Sequence, residues 1–275
     1  MSSIDHFTAR PDRAERVRVD IFRALTALSV ALLALALLWS VSGDPRMVTG
    51  GPVWMKPAKF ALSFVVYFWT LALIRDRLSP AVRNGKTLGA IGAVMAVAYI
   101  AEMAWLFRQA ARAAESHFNL STPFEAMMYA LMGVGAVLLV VGAGAIGWLA
   151  RRDAGARMGP VLREGVWLGL VLGAGLTLVV AGTMSSGTSP HVGTPPEGAP
   201  TLPLIGWSGA VGDLRPAHFL AIHAMQALPL LALWLERREV RGGLRIVRLA
   251  AVGWTALTLA VFAQALLGLP LIDLR

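Results

Sequence analysis

Long apolar stretches separated by short polar segments make up most of this sequence. An α-helix needs about 20 apolar residues to cross a hydrocarbon layer of roughly 30 Å, and these stretches reach that length. The pattern predicts seven transmembrane helices, at about Ile21–Val41, Trp54–Ile74, Thr87–Phe107, Pro123–Leu149, Val161–Met184, Pro216–Leu235 and Leu244–Leu269. We therefore expect an all-α polytopic membrane bundle, with a cytoplasmic tail over residues 1–20 and a single seven-helix domain over residues 21–275.

Composition supports a membrane protein and excludes several kinds of site. The chain is 56% hydrophobic and 15% charged, whereas soluble domains average about 45–50% apolar and about 25% charged residues. Because there is no cysteine, disulfides, iron–sulfur clusters and thiolate metal sites are excluded. The formal net charge is +9, but the basic residues lie in short connections between apolar stretches. We therefore expect the lipid bilayer as a partner and no nucleic acid.

The positions of the basic residues predict the orientation of the helices. Most of the 25 Lys and Arg residues lie in the tail and in the connections after the second, fourth and sixth predicted helices. Lys and Arg concentrate in the cytoplasmic loops of membrane proteins, so the amino terminus is predicted to be cytoplasmic and the carboxyl terminus to be outside. The abundance of Ala, Gly, Arg and Leu is typical of a GC-rich bacterium, so we expect a multi-pass protein of a bacterial inner (plasma) membrane.

Four histidines are predicted to lie on the outer side: His117, His191, His218 and His223. Imidazole binds haem iron and copper, which makes all four candidate metal ligands and makes haem or copper the predicted cofactor. His218 and His223 lie about 140° apart on the sixth predicted helix, and Met225 shares the face of His218. These three residues are therefore the predicted cofactor-binding group, with the methionine thioether as a soft ligand.

Glu102, Asp213 and Gln226 are candidate catalytic residues on the same side. Placing a carboxylate within a transmembrane helix costs about 3 kcal/mol of insertion free energy. Glu102 is therefore expected to face a pocket or a partner, and Lys59 is the candidate partner. Asp213 precedes a helix, where an acid is favoured by the helix dipole, or it pairs with Arg215. The alternative for Glu102 and its polar neighbours is a structural hydrogen-bond network between helices.

The segment Thr122–Glu125 has the form of a capping box. Thr122 would cap the fourth predicted helix, Pro123 would be its first residue and Glu125 its third. We therefore expect Glu125 to serve the helix start rather than a binding site.

Two patterns concern packing. Residues 185–215 form a long outer connection rich in proline and glycine, which is predicted to cover the site. Its apolar segment Leu202–Trp207 indicates that part of the connection packs back onto the bundle. Gly165, Gly169 and Gly173 recur every four residues on the fifth predicted helix. Such small residues allow close helix packing, either inside the bundle or, as the alternative, across a dimer face.

These observations favour an outer-half pocket between the third, fourth, sixth and seventh predicted helices. The leading hypothesis is a haem- or metal-linked redox or metal-handling role, with Glu102 as a proton carrier. The alternatives are a transporter or a pathway for protons or a small solute, and a structural or assembly subunit of a membrane complex, with complex partners or a homo-oligomer. The motifs show no close resemblance to retinal proteins, to the seven-helix progestin and adipoQ receptors or to haem A synthases. The sequence leaves open whether the protein is an enzyme.

Overall fold

Eight helices and two short two-stranded sheets form the protein in a computed structural model that describes residues 20–274. The predicted tail, apart from Asp20, lies outside these described residues, as does Arg275. The helices are α1 (Ile21–Ser40), α2 (Met55–Arg75), α3 (Pro80–Arg83), α4 (Lys86–Ala111), α5 (Pro123–Arg152), α6 (Pro160–Ser185), α7 (Arg215–Arg237) and α8 (Gly243–Leu266). The strands are β1 (Met47–Val48), β2 (Gly51–Pro52), β3 (His191–Val192) and β4 (Gly212–Asp213), and they pair as β1–β2 and β3–β4, both antiparallel.

The prediction of an all-α seven-helix bundle is confirmed. Within residues 20–274, seven helices are long and apolar enough to cross a membrane, and the chain is a multi-pass membrane protein. Their bounds agree with the predicted ones to within a few residues. The additional helix α3 was not predicted, because its four residues are too few to show a periodic pattern. Ser79 caps it and Pro80 begins it.

We call the end of the bundle at which α2, α5 and α7 begin the upper end, and the opposite end the lower end. The basic-residue pattern predicts that the upper end faces outside. Helix α6 packs against α5, α7 and α8, while α1 packs mainly on α2 and α4 lies between α2 and α5. The buried core is made almost entirely of apolar side chains from these helices. Most of the longer connections, over residues 41–54, 112–122 and 186–214, lie at the upper end.

The glycines of α6 pack inside the bundle. A Cβ on Gly165 would overlap that of Ala232 on α7, and a Cβ on Gly169 would lie 2.7 Å from Pro229 Cδ. Gly173 faces the next turn of α7 in the same way. The prediction of close intramolecular packing is therefore confirmed, and these three positions are covered by α7 rather than presented to a second copy.

The connection over residues 186–214 is held at several points, but its apolar segment packs back only in part. Trp207 contacts Phe219 on α7, with ring centroids 5.8 Å apart. Leu204, in contrast, is 85% exposed and lies in a turn with a φ of 65°. The prediction that part of this connection packs back onto the bundle therefore holds at Trp207 and not at Leu204.

Candidate functional site in the upper half of the bundle

A partly buried cluster of Lys56, Glu102 and His117 lies in the upper half, and Glu102 is its most deeply buried member. Lys56 is in the first turn of α2, Glu102 lies on α4 nine residues before its end, and His117 belongs to the connection between α4 and α5. Glu102 Oε1 is 3.6 Å from His117 Nε2, and the charge of Lys56 interacts with that of Glu102. Glu102 thus faces the protein interior, as expected for a carboxylate at this depth.

The predicted partner of Glu102 was the wrong lysine. The Lys59 ammonium donates to the carbonyl oxygen of Ile205 at 3.4 Å and holds the upper connection, whereas Lys56 is the lysine near Glu102. Residues three apart on a helix differ by about 60° in direction. Both lysines were visible in the sequence, but choosing between them requires the rotation of α2 about its axis.

His117 is an uncharged member of this cluster. Its ring lies between those of Phe60 and Tyr129, with centroids 5.5 Å and 6.1 Å away, and its Nδ1 is 3.1 Å from Ser116 Oγ. Burial lowers the pKa of His117 to about 3, and the positive charge of Lys56 acts in the same direction. At neutral pH the imidazole is therefore neutral, and its approach to the carboxyl group is not an ion pair.

An apolar groove runs between α4 and α5 and ends at Glu102. Its cavity volume is about 530 Å³, and Glu102 is the one charged or polar side chain among the residues that line it. Val97 and Val134 form part of its walls and are 70% and 56% exposed. In a membrane-spanning segment such side chains face lipid, so the groove opens toward the bilayer. The sequence also predicted that the sixth and seventh transmembrane helices, α7 and α8, line this pocket, but neither helix lines the groove.

One oxygen of Glu102 lacks a hydrogen-bond partner. Within the described part of the chain, Oε2 is buried and no protein group donates to it. A buried polar atom left unsatisfied costs about 1–3 kcal/mol, and more when the group is charged. Buried polar groups are nearly always paired, so an exception requires an explanation.

Glu125 serves a structural network beside this cluster. Thr122 Oγ1 accepts a hydrogen bond from the Glu125 amide at 3.1 Å, which confirms Thr122 as the predicted helix cap. The Glu125 side chain, in contrast, is directed to the end of α4. The Glu125 carboxylate accepts bonds from Gln109 Nε2 at 2.6 Å and from Arg112 at 3.0 Å. This network joins the end of α4 to the start of α5 and so fixes the connection that carries His117.

Asp213 and His191 lie together in a second cluster, in the upper connection. Asp213 is buried and forms a two-point ion pair with Arg215, at 2.9 Å from Nε and 2.6 Å from a terminal nitrogen, which confirms the expected pairing. Arg215 also donates to the Gly206 carbonyl at 2.8 Å and lies 3.2 Å from His191 Nε2. Burial lowers the pKa of His191; Asp213 opposes this effect and Arg215 adds to it. The contacts of Asp213 are those of a group that secures this connection.

His218, His223 and Gln226 form a third polar region on α7. His223 Nδ1 is 3.2 Å from Gln226 Oε1, and Gln226 Nε2 approaches Thr70 of α2 at 3.5 Å. His218 Nδ1 is buried and, within residues 20–274, has no hydrogen-bond partner. Met225 is fully buried and packs against Gly173 of α6.

The predicted metal ligands therefore lie in three separate places: His117 near Glu102, His191 near Asp213, and His218 with His223 on α7. Among residues 20–274 no group of three or more His, Cys, Asp or Glu side chains could hold a metal ion. Sequence reasoning missed Lys56 and the groove. The signal available for Lys56 was its place in the basic segment that begins α2, whereas the groove has no signal in one helix alone.

A further cavity of about 330 Å³ lies at the lower end, around Glu164. The Glu164 carboxylate is bound by Arg151 at 2.6 Å and by Arg248 at 2.7 Å. Both of its oxygens are thus paired, unlike those of Glu102, and the arrangement joins α5, α6 and α8. This region is an ionic contact between helices rather than a site with a free functional group.

No protein-family model, curated protein or solved structure matches this chain.

Proposed function

We propose that this membrane protein binds the polar group of a lipid-soluble molecule at Glu102. The observation that carries the proposal is Glu102, whose side chain lines a groove that opens toward the bilayer and whose buried Oε2 atom has no protein donor among the described residues. A ligand that donates a hydrogen bond to this oxygen would remove the cost of leaving it unsatisfied. Ionisable groups inside membrane-spanning segments are by default candidates for functional sites.

The surroundings of Glu102 favour entry from the bilayer over entry from water. On the upper side, the His117 ring lies 3.6 Å from the carboxyl group, Phe60 packs against that ring, and the charge of Lys56 interacts with Glu102. On the other side, the groove between α4 and α5 is apolar along its length. Apolar ligand pockets with a few placed polar groups are the usual form of small-molecule sites. An apolar molecule dissolved in the bilayer meets no polar barrier on this route.

Carbodiimides, which add covalently to carboxylic acids, test this access. A lipid-soluble carbodiimide, supplied to the protein in nanodiscs in mildly acidic buffer, should modify Glu102 and increase the mass of its peptide by one reagent molecule. A water-soluble carbodiimide should leave Glu102 unmodified. Glu164 is the internal control, because its carboxylate is held by two arginines. Absence of lipid-soluble labelling at Glu102, or equal labelling of Glu102 by both reagents, would refute the proposal.

A metal-linked redox role is our second proposal, and one observation favours it. His218 Nδ1 is buried without a partner, and His223 is near enough to interact with it electrostatically. Haem iron or copper bound by these two histidines, with Met225 nearby, would engage that nitrogen. Elemental analysis and an absorption spectrum of the purified protein test this idea. Bound metal or haem that is lost in His218→Ala and kept in His191→Ala would support it, and equal content in all three proteins would refute it.

A further inference from the structure

We infer that the Glu102 site takes a single-chain amphiphile, which has one linear hydrocarbon chain in the α4–α5 groove and an uncharged hydrogen-bond donor, such as a hydroxyl group, at Glu102. This inference rests on the proposed function and deepens it by naming the class of ligand. Three properties of the site carry the inference: the shape of the groove, the depth of Glu102, and the charge beside it.

The shape of the groove suits one extended chain. It reaches from Glu102 to Ala93 on α4, a distance of about 13 Å at 1.5 Å per residue. Ala98 and Gly135 contribute to its lining, and their small side groups leave room between the two helices. The volume of about 530 Å³ lies within the roughly 300–1,000 Å³ that small-molecule sites occupy. A chain lying along the groove would contact apolar atoms of both helices.

The depth of Glu102 excludes the head group of a phospholipid. Glu102 lies nine residues below the upper end of α4, which is about 13 Å along the helix axis. Helix α4 has 26 residues and is about 39 Å long, so it exceeds a hydrocarbon layer of roughly 30 Å by about 9 Å. Even if all of this excess lay above the membrane, Glu102 would remain within the hydrocarbon. A phosphate group would be strongly disfavoured there, whereas a hydroxyl group is small and uncharged.

The charges at the site favour a neutral donor over a cation. The positive charge of Lys56 already interacts with Glu102, so an ammonium group would place a second cation beside it. What Oε2 lacks is a hydrogen-bond donor. A hydroxyl group supplies one donor together with acceptor lone pairs. The neutral imidazole of His117, close to Oε1, adds no charge.

Protection of Glu102 from the lipid-soluble carbodiimide tests this inference. The probes are hexadecanol and its methyl ether, which have the same chain but differ in the ability to donate a hydrogen bond. Hexadecanol should slow the labelling of Glu102 in wild-type protein by about tenfold when present at about ten times its dissociation constant. The ether should leave the rate unchanged. This comparison requires no variant, so it does not depend on the folding of a mutant.

A matched pair of variants tests whether the hydrocarbon chain of the ligand lies in the groove. Val94→Trp fills the end of the groove that is far from Glu102, and Val252→Trp places the same side chain on an exposed face of α8. The first variant should lose the protection by hexadecanol, and the second should keep it. Equal protection by alcohol and ether, or equal protection in both variants, would overturn the inference while labelling itself still occurs. Failure of the proposed function is a different result, because Glu102 would then not be labelled at all.

Discussion

Replacing Gly169 by alanine should destabilise the bundle, whereas replacing Gly175 on the same helix should not. A Cβ at position 169 would lie 2.7 Å from Pro229 Cδ and 2.8 Å from the carbonyl oxygen of Ala224. Neither a proline ring nor a helix backbone can rotate away. A Cβ at position 175 meets no atom within 4 Å, so this variant is a control for the substitution itself.

The two variants share one energetic contribution and differ in another. Exchanging glycine for alanine within a helix contributes about 1 kcal/mol of stability at either position. Overpacking of a close contact costs about 1–3 kcal/mol, and the fixed atoms around Gly169 place its cost at the upper end of that range. Gly169→Ala should therefore lose about 2 kcal/mol and Gly175→Ala should gain about 1 kcal/mol. The difference of about 3 kcal/mol measures the packing of α6 against α7 alone.

Unfolding in mixed micelles provides the assay. The folded protein is titrated with a denaturing detergent, and tryptophan fluorescence gives the free energy of unfolding of wild type and both variants. Equal shifts for Gly169→Ala and Gly175→Ala would refute the reasoning, because α6 and α7 would then not be in close contact at this position. A shift at Gly169 that depended on protein concentration would instead favour the dimer face.

Two further predictions concern the upper end. The pKa of His117 is lowered from its ordinary value of 6.5 to about 3. Between these two pH values the unfolded chain binds more protons than the folded protein. Lowering the pH from 7 to 5 should therefore reduce the free energy of unfolding by about 2 kcal/mol. His117→Phe should lack this contribution, and an unchanged pH profile in that variant would contradict the assignment. Arg215→Lys should lose the two-point contact with Asp213. The free energy of local opening of residues 186–214 should fall by about 2 kcal/mol, so a protease should cleave this connection about 30-fold faster. Arg46→Lys, in another upper connection, is the control, and equal cleavage of both variants would show that Arg215 does not secure this segment.

The local chemistry of the helix ends was accessible from the sequence. Thr122 caps α5, as predicted, and Asp213 pairs with Arg215, which was one of its two predicted roles. Both interactions join residues that are close along the chain. Glu102 was predicted to face the interior because a carboxylate in an apolar stretch is strongly disfavoured in contact with lipid. Its neighbours were not identified correctly, since Lys56 and His117 come from other segments of the chain.

The separation of the histidines could not be predicted either. All four were expected on one side of the membrane, which is a statement about height along the bundle axis. Whether two of them meet also depends on the order of the helices around that axis and on the rotation of each helix. His191 is held by Arg215, and His117 lies against Phe60, so each lies among contacts of its own.

The sequence alone determined the number and approximate limits of the transmembrane helices, because the length of an apolar stretch is set directly by the thickness of the hydrocarbon layer. Only the tertiary structure decided which faces meet. In a soluble protein an apolar stripe marks the buried face of a helix, but in a membrane the lipid-facing side is equally apolar. The pattern of α4 and α5 therefore could not distinguish core from lipid, and the groove that ends at Glu102 appears only when the two helices are placed side by side.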